Sequence, residues 1–196
     1  MKRVLSVILT LLLILCCMPA VLADDALVVA SKKAQPVVVL PENAASWQTN
    51  AANVLRQTLR DATNCSAGTA ASGCRVVLDD PSVLPPSDKD GAYRIVQKDG
   101  DVCISGAGQR GTLYGVYAFL EDVCGLRWYT HDLRVLPETD SVTVKRGYEK
   151  AYTPYFEYCE TDWRCHKNLE YASANHMNGT AYRMIPEEWR STCRNQ

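Results

Sequence analysis

The sequence lacks an excess of charge of either sign. It contains 21 lysines and arginines against 22 aspartates and glutamates, which gives a formal net charge of −1. It also lacks basic runs and basic helix faces, and this argues against nucleic acid and anionic membranes as partners. The sequence therefore predicts a globular protein that binds neither nucleic acid nor a lipid surface.

Long apolar runs are also absent, with one exception at the N-terminus. Residues 1–23 combine two basic residues, an apolar stretch at 4–17 and a small-residue cleavage site at 21–23. This is the pattern of a secretory signal peptide. The apolar stretch is shorter than the roughly 20 residues that a membrane-spanning helix needs. We therefore expect a secreted or periplasmic protein with no membrane segment after cleavage of the signal.

Cysteine, in contrast, is plentiful. Nine cysteines are present, and two of them lie within the expected signal peptide. Export places the others in an oxidising compartment, where neighbouring cysteines form disulfides. Cys65 and Cys74 flank a loop of small residues, so they are the expected disulfide. The number left after cleavage is odd, so one thiol stays free or pairs outside the chain.

The motif GAGQRG at residues 106–111 matches the dinucleotide-binding pattern G-x-G-x-x-G. The strand before it follows another strand across Asp99-Gly100, and this dipeptide is the strongest short hairpin signal. The two strands are then antiparallel, whereas a dinucleotide-binding loop leaves the first strand of a parallel βαβ unit. We therefore expect the glycines to serve a tight strand-to-helix turn. The sequence predicts no cofactor and no metal site.

Elsewhere, short β-branched runs alternate with two helical patterns. Helices are predicted at about 46–63, capped by Asn43 or Ser46, and at about 109–123, ended by Gly125. The combination of a hairpin with crossover connections predicts an α+β fold, in which a mixed sheet carries two main helices. The predicted strands lie at 35–40, 75–78, 92–98, 101–105, 126–129 and 141–144.

The second helix is apolar almost all round. One stripe faces the sheet, while Tyr114, Ala118 and Phe119 lie on its flanks and far side. A helix of this kind is buried on two sides, so either a local cover or a partner domain lies over the far side. If a partner domain covers it, these three side chains, together with the segment 152–158, should form an exposed apolar patch in this chain.

The composition changes after residue 150. Tyr152-Thr153-Pro154 indicates a linker, residues 155–158 predict a new strand, and residues 169–174 predict a short helix. We therefore expect residues 24–150 to form the α+β domain. Residues 151–196 are expected to hold the linker and the start of a larger, truncated domain.

Three segments resemble the N-terminal domain of α-glucuronidases and its relatives in secreted bacterial glycosidase-like proteins. The most specific is IxGxxxRGTLYGVYxFLExxxGxRWY at residues 104–129. The others are VVVLPENAASWQTNAANVLRQTLRDATN at 37–64, and FEY at 156–158 followed by YASANHMNG at 171–179. That domain is similar to the non-catalytic second domain of β-hexosaminidases and sits beside a catalytic (β/α)8 barrel. The resemblance implies that residues 151–196 begin such a barrel.

The resemblance implies a non-catalytic accessory domain of a secreted glycoside-hydrolase-like protein in carbohydrate metabolism, with a glycosidase barrel as its partner. Glycoside hydrolysis needs two carboxyl groups across the scissile bond, and these come from different strands of the barrel. Residues 151–196 are expected to hold at most the first barrel strand and helix, so no catalytic residue carries over. The alternative is a stand-alone carbohydrate-binding module. Its candidate sugar contacts are Trp128, Tyr129 and His131, near the end of a strand, where aromatic faces can stack on sugar rings.

Overall fold

The computed structural model describes residues 26–66, 68–161 and 164–179. These residues form nine strands, three α-helices and a short 3-10 helix at Arg164–Lys167. The expected signal peptide lies outside them, as does the chain after residue 179. The strands are β1 (Ala26–Ser31), β2 (Gln35–Val39), β3 (Ala71–Leu78), β4 (Tyr93–Lys98), β5 (Asp101–Gly106), β6 (Arg127–Thr130), β7 (Leu133–Val135), β8 (Ser141–Lys145) and β9 (Glu149–Tyr152). The α-helices are α1 (Ser46–Thr63), α2 (Gly111–Cys124) and α3 (Leu169–Ala174).

A five-stranded mixed sheet, in the order β2-β3-β5-β4-β9, forms the centre of the fold. Strands β2, β3 and β5 are parallel, while β4 runs antiparallel to both β5 and β9. The β4–β5 hairpin turns at Asp99 and Gly100, whose φ angles of 52° and 86° are both positive. A two-residue hairpin turn needs this backbone, and Asp-Gly supplies it at low cost. The predicted α+β fold with a mixed sheet is confirmed.

The two long helices share one core with alternate residues of the central strands. Strand β3 contributes Val76 and Leu78 to it, and β5 contributes Val102 and Ile104. Residues two apart in a strand point to the same face, so one face of the sheet carries the helices. In the part of the chain that the structure describes, no helix combines the length and apolar character needed to cross a bilayer.

Helix α2 is buried on every side from Gly111 to Leu120, before the exposed Glu121 and Asp122. Phe119 is fully buried, and Tyr114 and Ala118 are only 3% and 5% exposed. The ring of Tyr148 stands edge-on to Phe119 with 6.4 Å between ring centroids, and the Tyr114 hydroxyl donates to the carbonyl of Met177 at 3.1 Å. The expectation that these residues form an exposed patch is therefore wrong, because the chain supplies its own cover.

The ends of the elements differ from the sequence prediction in several places. Strands β1, β7 and β9 were not predicted, and β9 runs across the expected domain boundary at residue 150. The strand predicted at residues 155–158 is wrong, because the chain there bends without pairing. Ala45, rather than Asn43 or Ser46, precedes helix α1, and the Gln48 side chain accepts a hydrogen bond from the Ala45 amide at 2.7 Å.

Replacing Phe119 tests the local cover of helix α2. Phe119→Ala should lower the free energy of unfolding by about 3–5 kcal/mol, as for other fully buried aromatic side chains. Leu84→Ala is the matched control, because Leu84 is 68% exposed and such surface changes stay within about 0.5 kcal/mol. Urea unfolding of both variants measures the difference. A small effect at Phe119 would show that the outer face of α2 is not packed.

Candidate functional site

The N-terminus of helix α2, where the GAGQRG motif lies, is occupied by a carboxylate of the protein itself. Asp79 Oδ1 accepts hydrogen bonds from the Gly106 amide at 3.0 Å and from the Thr112 hydroxyl at 2.7 Å. Asp79 Oδ2 accepts a third, from the Gln48 amide nitrogen, at 2.6 Å. A helix N-terminus attracts an anion. Here the Asp79 carboxylate lies at this end of the helix, where it is bonded to the side chain of Thr112.

A second carboxylate closes the same turn. Asp90 accepts a hydrogen bond from the Arg110 amide at 3.1 Å and pairs with its guanidinium at 2.7 Å. A Cβ on Gly108 would come within 2.2 Å of Asp90 Oδ1, and one on Gly106 would come within 1.9 Å of the Thr112 amide nitrogen. The glycines are thus required for close packing, as the sequence predicts.

The residues predicted to contact sugar lie on the β6–β7 ribbon and do not all face one way. The Trp128 ring packs edge-on against Tyr171 of helix α3 at 6.3 Å between centroids, whereas Tyr129 is 64% exposed. Neighbouring residues of a strand point to opposite faces. His131 lies at the ribbon's turn, and its carbonyl accepts a hydrogen bond from Asn168 at 2.7 Å.

A small cleft of about 80 Å³ lies beside Trp128, lined in part by Tyr117, Glu121 and Asn175. The Trp128 Nε1 group is buried there without a hydrogen-bond partner among the described residues. The cleft is too small for a sugar ring, since pockets for drug-sized ligands measure about 300–1,000 Å³.

The disulfide predicted between Cys65 and Cys74 is not formed in the structure, where both are free thiols. Cys65 Sγ lies 3.4 Å from the carbonyl oxygen of Lys32, and Cys74 Sγ lies 3.9 Å from that of Val29. Each thiol thus contacts the carbonyl of a residue in or just after strand β1, a strand that was not predicted. Burial raises the pKa of Cys74 to about 11, so this thiol stays protonated at neutral pH.

A cage of tyrosine rings surrounds His176, a residue that the sequence analysis did not select. The imidazole lies 4.7 Å from the ring centroids of both Tyr114 and Tyr152, and 5.8 Å from that of Tyr93. Burial, with a smaller effect from the Lys150 ammonium, lowers the pKa of His176 to about 4. The ring is therefore neutral at physiological pH.

The backbone around His176 is fixed by buried polar contacts. His176 has a φ of 56°, a left-handed conformation that Asn, Asp and His adopt more readily than most residues. Two residues later, Asn178 accepts a hydrogen bond from the Cys159 amide and donates one to the Glu157 carbonyl, both at 2.7 Å. His176 lies within the YASANHMNG segment at 171–179, where the polar residues Asn175 and Asn178 also follow the short helix.

A cleft of about 160 Å³ opens beside this cage. Its walls are mainly aromatic and apolar. Its polar groups come from Asp90, just before strand β4, and from the segment after helix α3. Among the described residues, no group of three or more His, Cys, Asp or Glu side chains is placed to hold a metal ion. The lining residues are Asp90, Tyr114, Tyr152, Pro154, Tyr155, Phe156, Cys159, Asn175, His176 and Asn178.

No protein-family model and no curated protein matches the sequence. Solved structures of two glycosidases are among those similar to the chain. A GH20 exo-β-N-acetylglucosaminidase from Vibrio harveyi, in complex with N-acetylglucosamine, is 14% identical, with a TM-score of 0.43, over 69% of this chain and 18% of its own. A family GH115 4-O-methyl-α-glucuronidase with specificity for decorated arabinogalactans is 13% identical, with a TM-score of 0.51, over 75% of this chain and 25% of its own.

The chain thus spans a quarter or less of the length of either enzyme. The comparison shows the fold alone: a region that makes up a quarter of the GH115 glucuronidase has the same α+β fold as this chain.

The Asp79 carboxylate can be tested by a substitution that keeps its shape. Asp79→Asn replaces one accepting oxygen by a donor, so the groups around it lose an acceptor and the free energy of unfolding should fall by about 1–3 kcal/mol. Asp88→Asn, at an exposed aspartate, should change it by less than about 0.5 kcal/mol. Calorimetry should detect no NAD binding by the parent chain. Micromolar binding would contradict the assignment of this turn as structural.

The His176 cage predicts a pH-dependent stability. The pKa of His176 is about 4 in the folded chain against an ordinary value of 6.5, so between these values the unfolded chain binds more protons. The free energy of unfolding then rises with pH between these two values. The stabilisation that His176 contributes, up to about 3 kcal/mol, is complete above about pH 6.5 and is lost as the pH falls towards 4. His176→Phe keeps a ring but removes the titration, so urea unfolding of this variant should depend less on pH in that interval. Parallel profiles for the two proteins would show that the imidazole is not buried.

Proposed function

We propose that the chain is a non-catalytic accessory domain of an exported glycoside-hydrolase-like protein, and that it packs against a glycosidase barrel. The shared fold with a region of the GH115 glucuronidase supports the general assignment. One observation carries the accessory role: an aromatic surface, formed by Tyr155, Phe156 and Tyr158, is exposed but held in place.

The aromatic surface follows directly after strand β9. Tyr155 is 86% exposed, Phe156 70% and Tyr158 51%. The first two rings contact each other edge-to-face with 4.8 Å between centroids. Apolar side chains that are grouped on a surface, rather than scattered singly, indicate an interaction site.

The backbone of this surface is anchored rather than loose. The buried side-chain amide of Asn178 accepts from the Cys159 backbone N–H and donates to the Glu157 carbonyl. The backbone N–H of Asn178 also donates to the Cys159 carbonyl, at 2.9 Å. A surface fixed before binding loses less conformational entropy when a partner docks. This favours a preformed domain-docking surface.

The carboxylates near the aromatic surface support a non-catalytic role. Glycosidase catalysis requires two facing carboxyl groups about 5–10 Å apart. Here Glu157 is exposed to solvent, whereas Glu160 packs so closely on Gly179 that a Cβ there would lie 2.4 Å from the Glu160 carboxyl carbon. The two acids thus stand in different environments, and neither is among the residues that line the cleft beside His176.

The stand-alone carbohydrate-binding module is less well supported. Trp128 packs against helix α3 and Tyr129 faces solvent from the other side of the ribbon, so these two residues do not form one stacking platform. Sugar contacts at Trp128, Tyr129 and His131 stay a prediction.

Substitution of the aromatic surface tests the docking role. The purified chain should bind a hydrophobic dye or self-associate in sedimentation, and Phe156→Ser should reduce this by about half, because one of the three exposed rings is lost. Its melting temperature should stay close to the parent value, since the ring is mostly exposed. Leu84→Ser is the matched control, because Leu84 is similarly exposed but does not belong to the aromatic surface.

Two results would contradict the proposal. An equal loss of association in Leu84→Ser would show that the aromatic surface has no special role. Hydrolysis of an aryl glycoside by the purified chain, lost on Glu157→Gln or Glu160→Gln, would contradict the non-catalytic assignment.

A further inference from the structure

The cleft beside His176 combines two kinds of wall. Tyr152, Tyr155 and Phe156 present aromatic rings to it, while His176 and Asp90 present polar groups. Ligand sites in proteins have this composition: mostly apolar walls with a few polar groups that fix orientation. The cleft therefore has the character of a small-molecule site.

The polar groups retain free hydrogen-bonding capacity. The His176 ring makes aromatic contacts only and forms no hydrogen bond with another described residue. A neutral imidazole offers one donor and one acceptor. Asp90 uses its carboxylate on Arg110 but has lone pairs to spare. The cleft thus offers one N–H donor and several acceptors to a ligand.

These groups suit a ring that is apolar on its faces and carries hydroxyls around its rim. The faces of a pyranose expose C–H groups, which can pack on the rings of Tyr155 and Phe156, and its hydroxyls both donate and accept. The cleft volume of about 160 Å³ is below the roughly 300–1,000 Å³ of drug-sized pockets. A ligand for this cleft is therefore at most one ring in size and not an oligosaccharide.

The charge of the cleft selects among sugars. Asp90 is the carboxylate that lines it, and no lysine or arginine is among its lining residues. Asp90 is already paired with the Arg110 guanidinium at 2.7 Å, so a uronic acid would have to give up part of the hydration of its carboxylate without a lining cation to pair with it. A neutral hexose has no such cost.

We propose that this cleft binds a single neutral hexopyranose ring, with the His176 imidazole bonding its hydroxyls, the Tyr155 ring packing on its face and the Phe156 ring, which is edge-on to Tyr155, at its rim. The inference rests on the proposed function, because it assigns to the accessory domain one wall of a carbohydrate site. Ligand sites are frequent at domain interfaces, and the same two aromatic residues belong to the docking surface.

Saturation-transfer NMR on the full chain tests the inference, with methyl glucopyranoside, methyl galactopyranoside, methyl mannopyranoside and glucuronic acid as probes. At least one neutral glycoside should bind, and glucuronic acid should bind more weakly. Tyr155→Ala should weaken binding about fivefold or more, as expected when an aromatic packing contact is lost. Because Tyr155 is 86% exposed, this variant should fold normally. His176→Phe should lower affinity by a similar factor through loss of its hydrogen bonds.

Three outcomes would overturn the inference. The first is no saturation transfer to any neutral glycoside. The second is tighter binding of glucuronic acid. The third is loss of binding in Tyr129→Ala with full binding in Tyr155→Ala, which would place the sugar on the β6–β7 ribbon.

The experiment also separates this inference from the proposed function. Dye binding and association that depend on Phe156, without any sugar binding, would leave the docking role standing and reject the sugar site. Binding of an apolar peptide that is lost in Tyr155→Ala, again without sugar binding, would assign the cleft to a protein side chain instead.

Discussion

The carboxylate of Asp79 joins the ends of four elements. Asp79 follows strand β3, and its oxygens accept from the last residue of β5, from the first turn of helix α2 and from Gln48 in the first turn of helix α1. It adopts a left-handed φ of 55°, which an aspartate tolerates better than most residues. Charge-assisted hydrogen bonds of this kind are stronger than neutral ones, so the position of both long helices on the sheet depends on this group.

Placing helix α2 in this way has a consequence for the rest of the chain. The helix is apolar almost all round, and its outer side must be covered to remove that surface from water. The cover comes from Tyr148, just before strand β9, and from the segment after helix α3 that carries Met177. Some of the described residues beyond 150, among them Tyr152 and Ala174, therefore pack against the same core as the sheet. A composition change in a sequence need not coincide with a break in packing.

The features that the sequence predicts are those encoded locally. The Asp99-Gly100 hairpin, the C-terminal glycine of helix α2 and the structural use of GAGQRG follow from backbone preferences at a few adjacent residues. The features that it does not predict depend on distant partners. Phe119 is buried by a tyrosine 29 positions later in the sequence, strand β9 is stabilised by pairing with β4, and the thiols of Cys65 and Cys74 contact carbonyls near β1. None of these pairings leaves a periodic signal. His176 falls in the same class, since its cage is assembled from β4, α2 and β9.

The region around His176 combines a fixed backbone with exposed aromatic side chains. The buried Asn178 side chain and the Tyr114 hydroxyl fix the backbone by hydrogen bonds. Tyr155 and Phe156 line the same cleft but stay exposed to solvent. Exposed aromatic rings lose contact with water only when something covers them, so their burial is left for a binding event. A domain that docks on these rings would also enclose the cleft beneath them and lower the dielectric around its polar groups, which strengthens their hydrogen bonds. Docking and ligand binding at this site would therefore be coupled, because both involve the rings of Tyr155 and Phe156, and each would change the affinity for the other by the same factor.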